Sequence, residues 1–194
     1  EGAYLSQNYK NTQSRGLLLW ETEDMKAAIR KSWQNGFDFC VHTIGDEAAH
    51  IAVNCAHQVW HQEGIRGRIH VEHAQILRSE TIALLTELDV VCHMQPCHYL
   101  SDRRWLKEKL GSLFTSAFPW SELERRGIKI QFGSDSPIEP ASIANNYLAL
   151  QESAKDGIPE LHKNWLAYHS HPDPTFGPEC VSDFEDGKLT NVKF

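Results

Sequence analysis

The sequence predicts an α/β fold made of repeated strand-then-helix units, and three observations carry that reading. Three short apolar runs rich in β-branched or aromatic residues have the length of buried strands: Phe37-Asp38-Phe39-Cys40-Val41, Arg68-Ile69-His70-Val71-Glu72 and Ile128-Lys129-Ile130-Gln131-Phe132. Each run then breaks into a polar group able to bind a metal: His42 before Thr43-Ile44-Gly45-Asp46, His73 before Ala74-Gln75, and Asp135 after Gly133-Ser134. Stretches with helix start and stop signals separate the runs. Parallel sheets and α/β barrels gather their functional groups at the carboxyl ends of the strands, so His42, His73 and Asp135 stand where chemistry is done. Two imidazoles and a carboxylate suit zinc or a similar divalent ion.

Taken in order, residues 1–19 read as a polar loop closing on Gly16-Leu17-Leu18-Leu19, a strand-like fragment. Thr22 can cap a helix to about Gln34, with Glu23 and Asp24 in its first turn and Asn35-Gly36 as the stop. Asp46 is placed to cap a helix from Glu47 to Glu63, ended by Gly64. On that helix His57 and His61 share a face but have no acid between them, so with His50 they read as solvent-side or packing residues. Strict alternation in the Arg68–His73 strand puts Glu72 and His73 on opposite faces unless the strand kinks or ends between them. Ser79 can cap Glu80–Leu88, and Asp89–Gln95 is a further strand that delivers Pro96-Cys97-His98 to the same rim. Ser101 or Asp102 can cap Arg103–Leu110, stopped by Gly111, and Pro119 suits the first turn of Trp120–Arg126. After Asp135, Pro140 opens a helix to about Lys155. Pro159, Pro172, Pro174, Gly177 and Pro178 then interrupt regular structure, and Phe184–Lys188 reads as a hairpin turn between Cys180–Phe184 and Leu189–Phe194. His169-Ser170-His171, before Pro172-Asp173-Pro174, reads as a surface pair.

Four motifs in order resemble the second half of the amidohydrolase superfamily, in the branch of barrel hydrolases that includes N-substituted formamide deformylase. They are HTIGDEAAHIAV, RIHVEHAQIL, MQPCHYLSDRRW, and FPW before SELERRGIKIQFGSDSPIEP, spanning about Gly16 to Leu150. The resemblance implies the C-terminal half of a (β/α)8 barrel over residues 1–157, with 158–194 an irregular tail whose hairpin is part of a small β domain. It implies His42 as the fifth-strand ligand, His73 as the sixth-strand ligand and Asp135 as the eighth-strand aspartate. Asp135 would be the general base, and His98 a substrate-facing histidine that steadies the carbonyl oxygen. The implied cofactor is a divalent metal, zinc, with one or two ions in the full-length protein. The implied reaction is attack of metal-activated water on a carbon-nitrogen bond of a small amide-type substrate. The family's remaining ligands would lie upstream of Glu1, and a chain that starts at Glu1 reads as a piece of a longer protein, inactive by itself.

Composition narrows the alternatives. A net charge of -7 offers no basic field for nucleic acid. No apolar run is long enough to span a bilayer and no signal peptide is evident, so no membrane partner and a cytoplasmic location are expected. Five cysteines, at 40, 55, 92, 97 and 180, read as reduced thiols rather than a disulfide framework. His70-Val71-Glu72 and Pro96-Cys97 partly match the zinc nucleobase deaminases, but Leu100 stands where their second cysteine should be. A non-enzyme alternative is a catalytically inactive regulatory or scaffold module on the same fold. Half a barrel leaves two open strand edges, so self-association as a homo-oligomer, or pairing with the missing half, is expected.

Overall fold

A computed structural model of the chain describes residues 2–162, 165–169, 181–185 and 188–193. Strands β1 (Phe39–Thr43), β2 (Ile69–His73), β3 (Val90–Met94) and β4 (Lys129–Phe132) form one sheet in the order β1-β2-β3-β4, parallel throughout. Helix α1 (Thr22–Gln34) precedes β1, and α2 (Asp46–His61), α3 (Ser79–Leu85), α4 (His98–Leu110) and α5 (Trp120–Arg125) fill the crossovers. Helix α6 (Ile143–Lys155) follows β4. Strands taken in chain order with helical crossovers form the arc of a (β/α)8 barrel, and four units are half of it. Strands β5 (Val181–Glu185) and β6 (Lys188–Lys193) make an antiparallel hairpin, as the turn signal predicts.

The period of 2 along each strand divides the sheet into two chemically different faces. On the helix side, Ile69, Val71, Cys92 and Met94 belong to one buried core that also includes Met25, Ile29 and Trp33 of α1 and Ala52, Val53, Ala56 and Val59 of α2. The other face, which a closed barrel turns inward, carries polar side chains. One row crosses all four strands in register: His42, Glu72, His93 and Gln131.

Several caps inferred from residue type are corrected by the fold. Gly45, not Asp46, is the cap of α2; Asp46 is helical, 0% exposed, and its carboxylate accepts from the Ser6 N–H at 3.0 Å. The cause is a strap. Residues 2–17 lie across the start of α2, with Leu5 and Tyr9 buried and the Tyr4 carbonyl accepting from the Ala48 N–H at 3.2 Å. Gly45 is required there, because a Cβ would come within 2.0 Å of the Tyr4 carbonyl oxygen. Neither Thr22 nor Ser79 caps its helix; Glu21 and Arg78 hold those positions without a side-chain bond. Helix α3 stops at Leu85, short of Leu88. Helix α4 begins at His98 rather than Arg103, since the turn at Gln95–Cys97 already supplies helical bonds: His98 N–H to the Gln95 carbonyl at 3.1 Å and Tyr99 N–H to the Pro96 carbonyl at 2.9 Å. Helix α6 starts at Ile143, not Pro140, because the Ser142 hydroxyl accepts from the Asn145 N–H at 3.2 Å.

Just beyond α6, residues 158 and 159 stay on the barrel unit: Ile158 is buried and the Trp120 indole donates to the Pro159 carbonyl at 3.0 Å. Cys40, Cys55, Cys92 and Cys97 are free thiols; Cys180 lies outside the described residues. Among the described residues no helix is long and apolar enough to cross a membrane.

Candidate metal centre

Strands β1 and β2 end side by side, with Thr43 paired to His73. Alternation alone would carry His73 to the helix side of the sheet. The chain instead leaves the strand through the left-handed region, at φ 70° for His73 and 45° for Ala74. Each such non-glycine residue costs on the order of 1–3 kcal/mol, so the surroundings must hold it there. The kink brings the His73 ring to 4.3 Å from the exposed His42 ring, edge to face, and to 5.7 Å from the His98 ring, nearly parallel. Asp135 adopts the same unusual backbone, φ 59°, where the chain leaves β4.

These turns assemble a compact donor set. His73, His98 and Asp135 each offer one ligand atom, all within 4.8 Å of one another. His98 Nε2 lies 3.8 Å from an Asp135 carboxylate oxygen. His73 Nδ1 and His98 Nε2 are buried without a hydrogen-bond partner. An unsatisfied buried polar group costs about 1–3 kcal/mol, and two in one cluster beside a carboxylate fit a divalent cation. Imidazole nitrogens with a carboxylate oxygen suit borderline ions such as zinc over magnesium or calcium. Burial, and next the neighbouring His42, push the His73 pKa below its ordinary 6.5, against an opposing pull from Asp135. The neutral imidazole that results is the form that binds a cation.

A second layer holds the loops that present these groups. Asn146 of α6 is 2% exposed; its Oδ1 accepts from the Cys97 N–H at 3.0 Å, and its Nδ2 donates to the Gly133 carbonyl at 3.1 Å and to His169 Nε2 at 2.9 Å. One amide thus ties the residue before His98 to the glycine two before Asp135. The sequence reading missed it. A signal existed, because Asn146 shares the buried stripe of α6 with Ala149 and Ser153. His169 is half-buried against Phe132 and Trp165, which corrects its reading as half of a surface pair; Ser170 and His171 lie outside the described residues. Asp102, read as a candidate cap, accepts from Gln75 Nε2 at 3.2 Å. Burial raises the Cys97 thiol to about 11, so no thiolate joins the cluster at neutral pH.

The other histidines of the sheet are engaged. His70 Nε2 donates to the Asp38 carboxylate at 3.0 Å and its Nδ1 faces His93 Nε2 at 2.8 Å. Both nitrogens of His70 therefore have partners, and the deaminase-like reading of His70 and Glu72 has no free imidazole to use.

The fold and the site together make a parallel βα arc that gathers imidazoles and a carboxylate at its strand ends, the arrangement of a barrel with a metal-binding rim. A model of the amidohydrolase family matches residues 2–161, and the chain belongs to that family. Over 190 residues it is 32% identical to the Bacillus subtilis (strain 168) protein YtcJ, named as an amidohydrolase, covering 96% of this chain and 33% of that protein. It is 27% identical over 126 residues to the Arabidopsis thaliana protein LONG AFTER FAR-RED 3, covering 63% of this chain and 22% of that one. The crystal structure of an uncharacterized metal-dependent hydrolase from Pyrococcus horikoshii OT3 superposes with a TM-score of 0.67 at 28% identity, covering 80% of this chain and 31% of that one. A Pyrococcus furiosus metal-dependent hydrolase superposes with a TM-score of 0.63, also at 28% identity, covering 77% and 30%. The chain spans at most about a third of the length of these relatives.

Proposed function

We propose that the chain supplies the C-terminal share of the active site of a metal-dependent hydrolase acting on carbon-nitrogen bonds of small, non-peptide amides. The observation that supports this most is the cluster of His73, His98 and Asp135 with two buried, unpartnered imidazole nitrogens. His42, His73 and Asp135, each at a strand end, would hold the ion, and the nitrogen-rich donor set favours zinc. When bound, the ion supplies an acidified water and polarises the scissile carbonyl. Asp135, exposed at the rim, takes a proton on its carboxylate and returns it to the leaving nitrogen. His98 donates from Nε2 to the carbonyl oxygen as negative charge develops there, a contribution of about 3 kcal/mol for one well-placed donor.

The position of His98 within the 4.8 Å cluster also favours a second reading, in which it is a ligand rather than a substrate contact. Zinc content separates the two: a His98→Ala chain that keeps its ion supports the substrate-facing role, and one that loses it supports the ligand role.

The edges of the sheet at β1 and β4 have no strand beside them among the described residues. The remaining ligands therefore come from outside these four units, either the other half of a longer chain or a second copy, and the 194 residues alone turn over little substrate. Robust amide hydrolysis by these residues alone would overturn that part. In the assembled enzyme, Asp135→Asn lowers turnover at least about 100-fold. Unchanged turnover with the metal retained would remove Asp135 from the mechanism.

A further inference from the structure

We propose that His57, His61 and Glu87 form a second divalent-cation site, of borderline transition-metal type such as Zn2+, at the end of the sheet away from the strand-end cluster. The two histidines are one helical turn apart on α2, with ring centroids 4.3 Å from each other. The acid that the helix itself lacks arrives from the turn after α3. One Glu87 carboxylate oxygen sits 3.0 Å from His57 Nε2 and 3.5 Å from His61 Nε2. The three ligand atoms lie within 4.8 Å of one another. Nitrogen and oxygen ligands at ordinary zinc bond lengths on a tetrahedral ion are about 3.3–3.5 Å apart, so an ion enters with small side-chain movements.

The frame around the three residues is fixed. His50, two turns before His57 on α2, bonds the Thr81 hydroxyl of α3 at 3.0 Å, which pins the two helices together. Glu87 sits in a hydrogen-bonded turn at the end of α3, its N–H donating to the Leu84 carbonyl at 3.1 Å. His61 is the last residue of α2, where the helix dipole favours a cation. The side chains are 23%, 39% and 52% exposed for His57, His61 and Glu87, so an ion can reach them.

The position separates this site from the proposed hydrolase. In a βα unit the helix runs back antiparallel to its strand, and α2 begins three residues after β1 ends. Eleven residues of helix carry His57 about 16 Å from Asp46, toward the opposite end of the sheet. Its ion would link α2 to α3 and take no part in the strand-end chemistry.

The test is titration of the metal-stripped 194-residue chain with ZnCl2 by calorimetry, in the wild type, His61→Ala and Glu87→Gln, with amide NMR spectra recorded alongside. One equivalent more in the wild type than in His61→Ala, with at least tenfold weaker binding in Glu87→Gln, supports the site. Zinc-dependent shifts should include residues near 57–61 and 84–88, and should persist in a His42→Ala, Asp135→Asn chain whose strand-end cluster is crippled. Equal zinc stoichiometry in wild type and His61→Ala, or shifts confined to the strand ends, would overturn it and leave a histidine-carboxylate ion pair only. Because the strand-end variants are assayed in the same series, failure of this site is distinguishable from failure of the other.

Discussion

Strand β2 contributes two histidines three residues apart, His70 and His73, and their surroundings differ in the property that matters. His70 lies within the strand on the polar face, where Asp38 and His93 engage both of its nitrogens. The Asp38 carboxylate can only accept, so it fixes the proton on His70 Nε2 and leaves Nδ1 to accept from His93. His73, at the strand end, is 6% exposed and leaves Nδ1 without a partner beside an exposed carboxylate and a second unpartnered imidazole. A histidine whose hydrogen bonds are complete stabilises a sheet, whereas one held in a strained backbone with a bare nitrogen is prepared for something the chain does not itself provide.

In the assembled enzyme, His98→Ala should cut turnover by about 100- to 1,000-fold with its ion retained, as removal of one preorganised donor does. His93→Ala should leave kcat within about threefold, since the His93 ring meets His70 and, at 4.0 Å, Glu72, and none of these three is in the donor cluster. Equal losses would mean that the polar face takes part in catalysis.

Smaller effects follow for stability. Asn146→Ala leaves the Cys97 N–H and the Gly133 carbonyl without their partner, and should cost about 2 kcal/mol in urea unfolding. His70→Ala removes two part-exposed bonds and should cost about 1 kcal/mol. A His70 loss larger than that of Asn146 would reverse the ranking of sheet face and loop clamp.

The smallest effect is in pH. Burial holds the pKa of His93 and of His169 below the ordinary 6.5. The unfolded chain therefore binds protons that the folded chain refuses, and stability falls as pH drops from 6.5 toward the folded values. About a unit above 6.5 both states are neutral and these two groups add no slope. His93→Gln and His169→Gln should each flatten the decline in Tm below pH 6.5; an unchanged profile in both would contradict their burial as neutral imidazoles.

Much of the fold was legible because apolar runs that break at a polar residue mark both a strand and its functional end. Each observed strand lies within two residues of its expected limits, whereas the strand-like run at Leu17–Leu19 joins no sheet and leaves Leu17 and Leu19 exposed. The kink at His73 was legible only as a condition, since Glu72 and His73 could not both face one side of a regular strand. Caps were less legible. Asp46 is a good capping residue by type, but a strap from residues 2–17 brings the Ser6 N–H to one of its oxygens and Arg78 faces the other at 3.5 Å, and no local pattern encodes either approach. Partnerships across the fold were hidden for the same reason: Glu87 lies 26 residues from His61, and Asn146 lies 49 from Cys97. Only the α2–α3 and α4–α6 packing brings them together. Gln75 with Asp102, and His169 with Asn146, were equally out of reach of spacing alone.

The strand-end cluster, and not the histidine network beside it, is the proposed holder of a divalent ion. The direct test is elemental analysis of purified protein for wild type, His73→Ala and His70→Ala, each with His61→Ala to remove the helix-end site. Near-stoichiometric zinc is expected in the His70→Ala chain, and its loss in the His73→Ala chain. Zinc retained without His73, or lost without His70, would contradict it.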